Sequence, residues 1–136
     1  RMVFKMERRE TFSSSHRLNS HHLSIEENAQ VYGKCNNQNG HGHNYVWRVI
    51  LEGEIDGRTG MLYDLASLKK EMSQVLDIVD HKNLDMDVEY FKEIPSTSEN
   101  LVKYLYVTLK GKLSQPNLLK ECILHETEKN TFVYSE

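Results

Sequence analysis

The sequence contains few of the residues that mark a disulfide-rich or membrane-spanning chain. Only two of its 136 residues are cysteine, and two are proline. Cys35 lies in a polar loop and Cys122 in an apolar run, so we expect no disulfide and a small buried side chain at Cys122. No segment approaches the roughly eighteen apolar residues that a membrane span needs. We therefore expect a soluble protein.

A basic surface of the kind that binds nucleic acid is also missing. The formal net charge is -3, and the lysines and arginines are scattered along the chain. The first nine residues carry charges throughout and lack the apolar core of a secretory signal. We expect no nucleic-acid partner, no membrane partner and a cytoplasmic location. With 38% hydrophobic residues, the chain is expected to form a single domain over residues 1–136.

Two kinds of hydrophobic periodicity follow one another along the chain. Alternating or continuous apolar residues predict four strands, at 2–13, 44–55, 118–127 and 131–135. Apolar residues spaced by three and four predict two amphipathic helices between the second and third strands. Asp64 is the expected N-cap of the first helix, and Ser96 with Glu99 predicts a capping box on the second. The order ββααββ predicts an α+β fold, with a long polar loop over 13–42.

The most specific motif is the run KCNNQNGHGHNY, in which His41 and His43 are two residues apart. On a strand this spacing points both imidazoles to the same side, and His16 can join them if the first strand ends beside the second. Three neutral imidazoles suit zinc and leave a fourth position for water or substrate. Two alternatives remain at this stage. His41 and His43 could form a solvated polar face, or Cys35 could complete a closed structural zinc site.

Other residues are candidates for proton transfer and substrate binding. Cys35 near a metal would favour its thiolate form, which can act as a base or a nucleophile. Asp80 and His81 could relay protons, although neighbouring Asp and His also cap helices. Glu126 ends an apolar strand, where it would bind a cationic or amide-rich ligand or else face water at an edge. Glu99 could bind a ligand, or it could instead be the reciprocal member of the capping box with Ser96.

Five motifs, in order along the chain, resemble those of the eukaryotic 6-pyruvoyltetrahydropterin synthases. They are FSSSHRL, GKCNNQNGHGHNY, DHKNLDMDVEYF, STSEN and HETEKN, and together they run nearly from end to end. The resemblance implies a zinc site made by His16, His41 and His43, with Cys35 as the base. It also implies proton relay and pterin binding by a further set of residues, namely Asp80, His81, Glu126, Glu99, Thr97 and Ser98. Ser98 is one of the few departures from the family pattern.

The resemblance further implies a fold, an assembly and a reaction. The fold is the tunnelling fold, a four-stranded antiparallel sheet with two helices on one face. Trimers close their sheets into a barrel and two trimers stack, so a homohexamer is expected, with active sites at subunit interfaces. The implied reaction is a carbon–oxygen lyase step of tetrahydrobiopterin biosynthesis. It converts 7,8-dihydroneopterin triphosphate to 6-pyruvoyltetrahydropterin and triphosphate, with Zn²⁺ as the metal.

Two other functions compete with this prediction. The 6-carboxytetrahydropterin synthases use a similar set of residues, but their cysteine typically lies closer to the HGH motif than Cys35 does here. A non-catalytic module stabilised by structural zinc is the alternative from a different class. Cationic residues for the triphosphate are available near the motifs, and the spacing does not select among Arg17, Lys34 and Lys82.

Overall fold

The computed structural model describes residues 2–136, which form one sheet with helices packed on it. The strands are β1 (Phe4–His16), β2 (His41–Gly53), β3 (Lys82–Asn83), β4 (Leu119–His125) and β5 (Thr131–Tyr134). The helices are α1 (Ile25–Tyr32), α2 (Leu65–Val79), α3 (Leu84–Asp87) and α4 (Ser98–Lys110). Short 3₁₀ turns occupy Gly33–Asn36, Glu89–Lys92 and Pro116–Leu118.

The long antiparallel pair β1 and β2 forms the centre of the sheet. Their register is continuous from Phe4 opposite Gly53 to His16 opposite His41. Strand β2 buries Tyr45 and Trp47 on one face, as a two-residue period requires. Because the pairing extends to the end of β1, the polar run that follows Phe12 is part of the sheet.

The sheet has five strands in the order β3-β1-β2-β4-β5, so the prediction of four strands was wrong. The additional strand is β3, which pairs in parallel with Ser14 and Ser15 of β1. The other pairs are antiparallel, as predicted. A two-residue polar strand has no periodicity of its own, which explains why the sequence pattern did not indicate it.

Helices α2 and α4 both contribute buried apolar residues to the core. On α2 these are Leu68, Met72, Val75 and Val79. The N-cap of α2 is Asp64, as predicted, and its carboxylate accepts a 3.1 Å hydrogen bond from the Ser67 amide. Largely buried residues of α2, α4, β2 and β4 belong to one hydrophobic cluster. The α+β prediction is therefore confirmed.

The predicted capping box at the start of α4 was wrong by one residue. The N-cap is Thr97, whose hydroxyl accepts a 3.2 Å hydrogen bond from the Asn100 amide. The hydroxyl of Ser96 instead donates to Asp85 at 2.6 Å. Glu99 lies exposed in the first turn of the helix, where a negative charge complements the helix dipole.

The segment 13–42 is more ordered than the predicted long loop. It contains α1, which begins with a capping box between Ser24 and Glu27. The buried Asn28 side chain accepts a 2.7 Å hydrogen bond from the Ser20 amide and donates to the Ser20 carbonyl at 3.0 Å. These bonds hold the segment between β1 and β2 in place.

Both cysteines are free, as predicted. Cys122 is fully buried in β4, and burial raises the pKa of its thiol to about 12.

Across residues 2–136, no helix is both long enough and apolar enough to cross a membrane.

Candidate functional site

Three imidazoles converge at one end of the sheet. His16 ends β1 directly opposite His41 at the start of β2, and His43 follows on the same face of β2. The Nε2 atoms of His16 and His41 are 3.2 Å apart. One ligand atom from each of the three histidines lies within 4.8 Å of the other two, so the group could hold a metal ion.

The hydrogen bonding of His16 fixes the orientation of its ring. Its Nδ1 lies 2.7 Å from the Ser96 carbonyl oxygen. A carbonyl can only accept, so Nδ1 carries the proton and donates it. The neutral ring then presents the lone pair of Nε2 to the cluster. A backbone carbonyl in this position is a common partner of metal-ligating histidines.

Burial favours the neutral, metal-binding form of the His16 and His43 imidazoles. His16 is 1% exposed, and burial lowers the pKa of its ring below the usual value. The neighbouring His41 and His43 lower this pKa further. Burial also lowers the pKa of His43, while the negative charge of Glu126 opposes that change. Neutral imidazole is the form that coordinates a metal.

The chain approaches this cluster through Gly40, which has a positive φ of 75°. A Cβ atom at this position would lie 2.7 Å from the carbonyl oxygen of His16. Glycine is therefore required both by the left-handed backbone and by the close approach to β1. The tight contact brings His41 beside His16.

Cys35 lies outside the group of ligand atoms formed by the three histidines. It is half-buried in the 3₁₀ turn Gly33–Asn36, which is tied to the segment after β1. The carbonyl of Cys35 accepts a 2.9 Å hydrogen bond from the Leu18 amide, and the Asn36 side chain donates to the Leu18 carbonyl at 2.7 Å. The loop is therefore anchored through its backbone and Asn36.

Asp80 and His81 form a paired carboxylate and imidazole on the edge of β1. Oδ1 of Asp80 lies 2.9 Å from Nδ1 of His81 and accepts a bond of the same length from the Ser13 amide. The His81 amide donates to the Ser13 carbonyl at 2.6 Å, and His81 has a positive φ of 59°. His81 and His43 line one groove of about 420 Å³. Within residues 2–136, no hydrogen bond or ion pair joins this pair to Cys35.

Glu126 lies just after β4, on the opposite side of β2 from β1. Its Oε2 accepts a hydrogen bond from the hydroxyl of the buried Ser98. Because His125 pairs with Val46, Glu126 lies at the end of β2 that carries His43, and its negative charge acts to raise the pKa of both His43 and Tyr45. The structure thus brings Glu126 and Ser98 to the site, while Thr97 caps α4 and Glu99 is exposed.

Three residues near the site were not identified from the sequence. Ser96 supplies the carbonyl that orients His16, and Asp85 accepts hydrogen bonds from the Ser96 hydroxyl and the Arg17 amide, both at 2.6 Å. The ring centroids of Tyr45 and His43 are 5.5 Å apart, and burial raises the pKa of the Tyr45 hydroxyl. The Tyr45 hydroxyl has no hydrogen-bond partner in the described part of the chain. For Tyr45, the signal was its alternation with His41 and His43 on β2.

These features define a class of protein. An α+β fold carries three converging imidazoles at one end of its sheet, with a carboxylate on one side of them. Three protein ligands that leave room for another group are typical of a catalytic metal centre.

Comparison with known proteins assigns the family. The family described as "6-pyruvoyl tetrahydropterin synthase" matches residues 5–136. A Homo sapiens protein named 6-pyruvoyl tetrahydrobiopterin synthase is 49% identical over 131 residues, covering 96% of this chain and 90% of its own length. The Drosophila melanogaster protein of the same name is 51% identical over 128 residues, covering 93% of this chain and 76% of the relative.

A solved structure agrees with both sequence relatives. The Caenorhabditis elegans 6-pyruvoyl tetrahydropterin synthase superimposes with a TM-score of 0.98 at 56% identity, covering 99% of this chain and 96% of that one. The chain belongs to the 6-pyruvoyl tetrahydropterin synthase family. The resemblance drawn from the five sequence motifs is therefore confirmed.

Proposed function

We propose that this protein is a zinc-dependent 6-pyruvoyltetrahydropterin synthase, which converts 7,8-dihydroneopterin triphosphate to 6-pyruvoyltetrahydropterin and triphosphate. The observation that carries the proposal is the convergence of His16, His41 and His43 beside Glu126 in a member of this family. The relatives named above carry the synthase name over most of their length.

The donor set suits zinc. Three imidazole nitrogens, one of them with its tautomer fixed by a carbonyl, are ligands that Zn²⁺ accepts in catalytic sites. When bound, the zinc would act as a Lewis acid toward the side-chain hydroxyls of the substrate. Cys35 is outside the three-histidine group, which favours the open site over a closed structural site that uses its thiolate.

The protein residues then divide the work of binding and proton transfer. Glu126, held by Ser98, accepts hydrogen bonds from the amino and amide N–H groups of the pterin ring. The thiolate of Cys35 removes a proton from the side-chain carbon beside the ring, and return of protons to the ring converts that carbinol to a ketone and the dihydropterin to the tetrahydro form. Loss of a proton from the next carbon, now beside a ketone, expels triphosphate from the terminal carbon with its bonding electrons and leaves an enol. Tautomerisation within the side chain then produces the pyruvoyl group.

Asp80 and His81 serve as the proton relay for Cys35, but from a different subunit. Within one chain the Asp80 and His81 pair lies on the β1 edge and has no bond to Cys35. The β1 edge from Phe4 to Phe12 and the outer edge of β5 pair with no strand in residues 2–136. These edges support the tunnelling-fold assembly, in which trimers close into a barrel and stack as a hexamer.

The test is turnover of 7,8-dihydroneopterin triphosphate by the zinc-loaded protein and by Cys35→Ala, with products identified by mass spectrometry. We expect a pyruvoyl pterin and triphosphate from the wild type. Cys35→Ala should keep its zinc and fold but lose more than about 100-fold in kcat, the lower range of general acid–base catalysis. The matched control is Asn37→Ala, an exposed side chain in the same loop, which should retain activity.

The other outcomes separate the alternatives. A carboxy pterin as the product would assign the protein to the 6-carboxytetrahydropterin synthases. Loss of zinc and of the fold in Cys35→Ala would instead identify a closed structural site with the thiolate as a ligand.

A further inference from the structure

A cavity of about 460 Å³ is lined partly by residues that follow β1 and residues that precede β2. Arg17 and Gly40 line it, and they adjoin His16 and His41 in the chain. Most of its other polar lining carries hydrogen-bond donors, from Asn19, His21, Gln38, Asn39, Asn83 and Lys92. The cavity is therefore rich in donors, and its lining adjoins two of the three histidines in sequence without including any of them.

The guanidinium of Arg17 is held in place by neutral groups. Its Nε donates to the Asn36 carbonyl at 2.8 Å, and one terminal nitrogen lies 3.4 Å from the Asn36 side-chain oxygen. Among residues 2–136, no carboxylate forms an ion pair with its guanidinium. Since a guanidinium has five N–H donors, most of its hydrogen-bonding capacity remains available. Arg17 is thus a positioned cation whose charge is not neutralised by an acidic side chain.

Asp85 is the one acidic residue that lines the cavity, and both of its oxygens are already used. One accepts from the Arg17 amide and the other from the Ser96 hydroxyl, each at 2.6 Å. Lys92 adds a second cation, and its carbonyl accepts a 3.1 Å hydrogen bond from Nε2 of His21. The lining therefore favours an anionic ligand that accepts hydrogen bonds.

The position of the cavity relative to Glu126 indicates which part of a ligand would occupy it. At this end of the sheet, His16 lies on β1, His41 and His43 lie on β2, and Glu126 follows β4 on the far side. Arg17 continues the chain beyond His16, on the side away from β4. A ligand whose ring binds Glu126 and whose side chain crosses the histidines would extend toward Arg17.

We propose that Arg17, assisted by Lys92, binds the triphosphate of the substrate in this cavity. The proposal rests on the proposed function, because that function supplies a triphosphate ester on the pterin side chain. Lys34 and Lys82 do not line this cavity, and Lys82 instead lines the groove that His43 borders, so Arg17 is the one of the three cations that this cavity offers. The planar guanidinium can bind two phosphate oxygens at once.

The experiment is calorimetric titration of the zinc-loaded protein with inorganic triphosphate. Arg17→Gln should weaken binding about 10- to 100-fold, because a charge-assisted hydrogen bond contributes roughly 1.5–3 kcal/mol. Lys92→Gln should weaken it to a smaller extent. Lys112→Gln, which removes an equal charge at an exposed position after α4, should bind as the wild type does. Circular dichroism and zinc content verify that each variant is folded.

Titration with neopterin, which lacks phosphate, separates this proposal from the proposed function. Arg17→Gln should bind neopterin as tightly as the wild type. Equal triphosphate affinity in Arg17→Gln and the wild type, or no triphosphate binding by the wild type, would overturn the proposal. An equal loss in Lys112→Gln would overturn it too, because it would indicate a nonspecific charge effect. If the Arg17-dependent binding holds but no pterin is turned over, the proposed function fails while the anion site stands.

Discussion

Two different constraints position the imidazoles of the cluster. Strand alternation points His41 and His43 to one face, whereas a backbone carbonyl from the segment before α4 orients His16. The first constraint is local, so the convergence on His16 could be predicted from the spacing and the strand ends. The second could not, because Ser96 is 80 residues from His16 and was interpreted as a helix cap.

At this scale we predict that His43→Ala removes the bound metal. Losing a residue that hydrogen-bonds to a metal ligand typically weakens metal affinity about 10- to 100-fold. Losing the ligand itself should therefore weaken metal affinity by more than about 100-fold. Zinc content by plasma mass spectrometry and competition with a chelator measure the effect. His125→Ala is the matched control, since His125 lies outside the cluster and bonds to the Thr131 hydroxyl at 2.8 Å. Full zinc occupancy in His43→Ala would show that the ion binds elsewhere.

The helices and strands follow the sequence pattern where a side of the element is apolar. Alternation and three-to-four spacing identified β1, β2, β4, β5, α2 and α4. Helix α1 was missed because it is mostly polar, and its apolar Ile25 and Val31 are exposed. Strand β3 was missed because it consists of two residues held by pairing with distant β1. Tertiary pairing, which is absent from local periodicity, determines β3, whereas α1 is marked by its Ser24–Glu27 capping box and not by an apolar stripe.

The turn that leads into β2 gives a prediction at the level of the element. Gly40 and Gly60 both have positive φ, at 75° and 72°, but an added Cβ clashes only at Gly40. Gly60→Ala should therefore lower the free energy of unfolding by about 1–2 kcal/mol through backbone strain alone. Gly40→Ala should cost a further ~1–3 kcal/mol from the clash with His16 and should weaken zinc binding.

Urea unfolding of the zinc-free variants and zinc titration of the folded proteins measure these two effects separately. Equal losses of stability in Gly40→Ala and Gly60→Ala, with unchanged zinc affinity, would contradict a role for the close approach of Gly40 to β1.

For the whole molecule, the main question is how Cys35 would meet the proton relay that we propose for it. Asp80 and His81 lie on the β1 edge, and Cys35 lies in the loop anchored to Leu18. Single-chain periodicity carries no information on contacts between copies, so the hexamer was inferred only from the family resemblance. The unpaired edges of β1 and β5 are the structural support for that part of the proposal.

A mixing experiment tests this arrangement directly. Cys35→Ala and His81→Ala should each be inactive alone. When the two are unfolded together and reassembled, some sites should combine an intact Cys35 with an intact His81 from another chain, and activity should return. The control is the double variant reassembled with itself, which should stay inactive. If the mixture of single variants gains no activity while wild type reassembles normally, Cys35 and His81 act within one chain.

The small strand β3 has a consequence for how such copies can align. Asp80 and His81 occupy both the amide and the carbonyl of Ser13, and β3 pairs with Ser14 and Ser15. The edge of β1 is therefore closed from Ser13 onward and open only before it. If a strand from another chain extends this sheet, its pairing with β1 must end before Ser13. The position of β3 would therefore limit the registers that such a strand can adopt. The residues that close the edge are those proposed to relay protons, which ties the alignment of the subunits to the position of the relay.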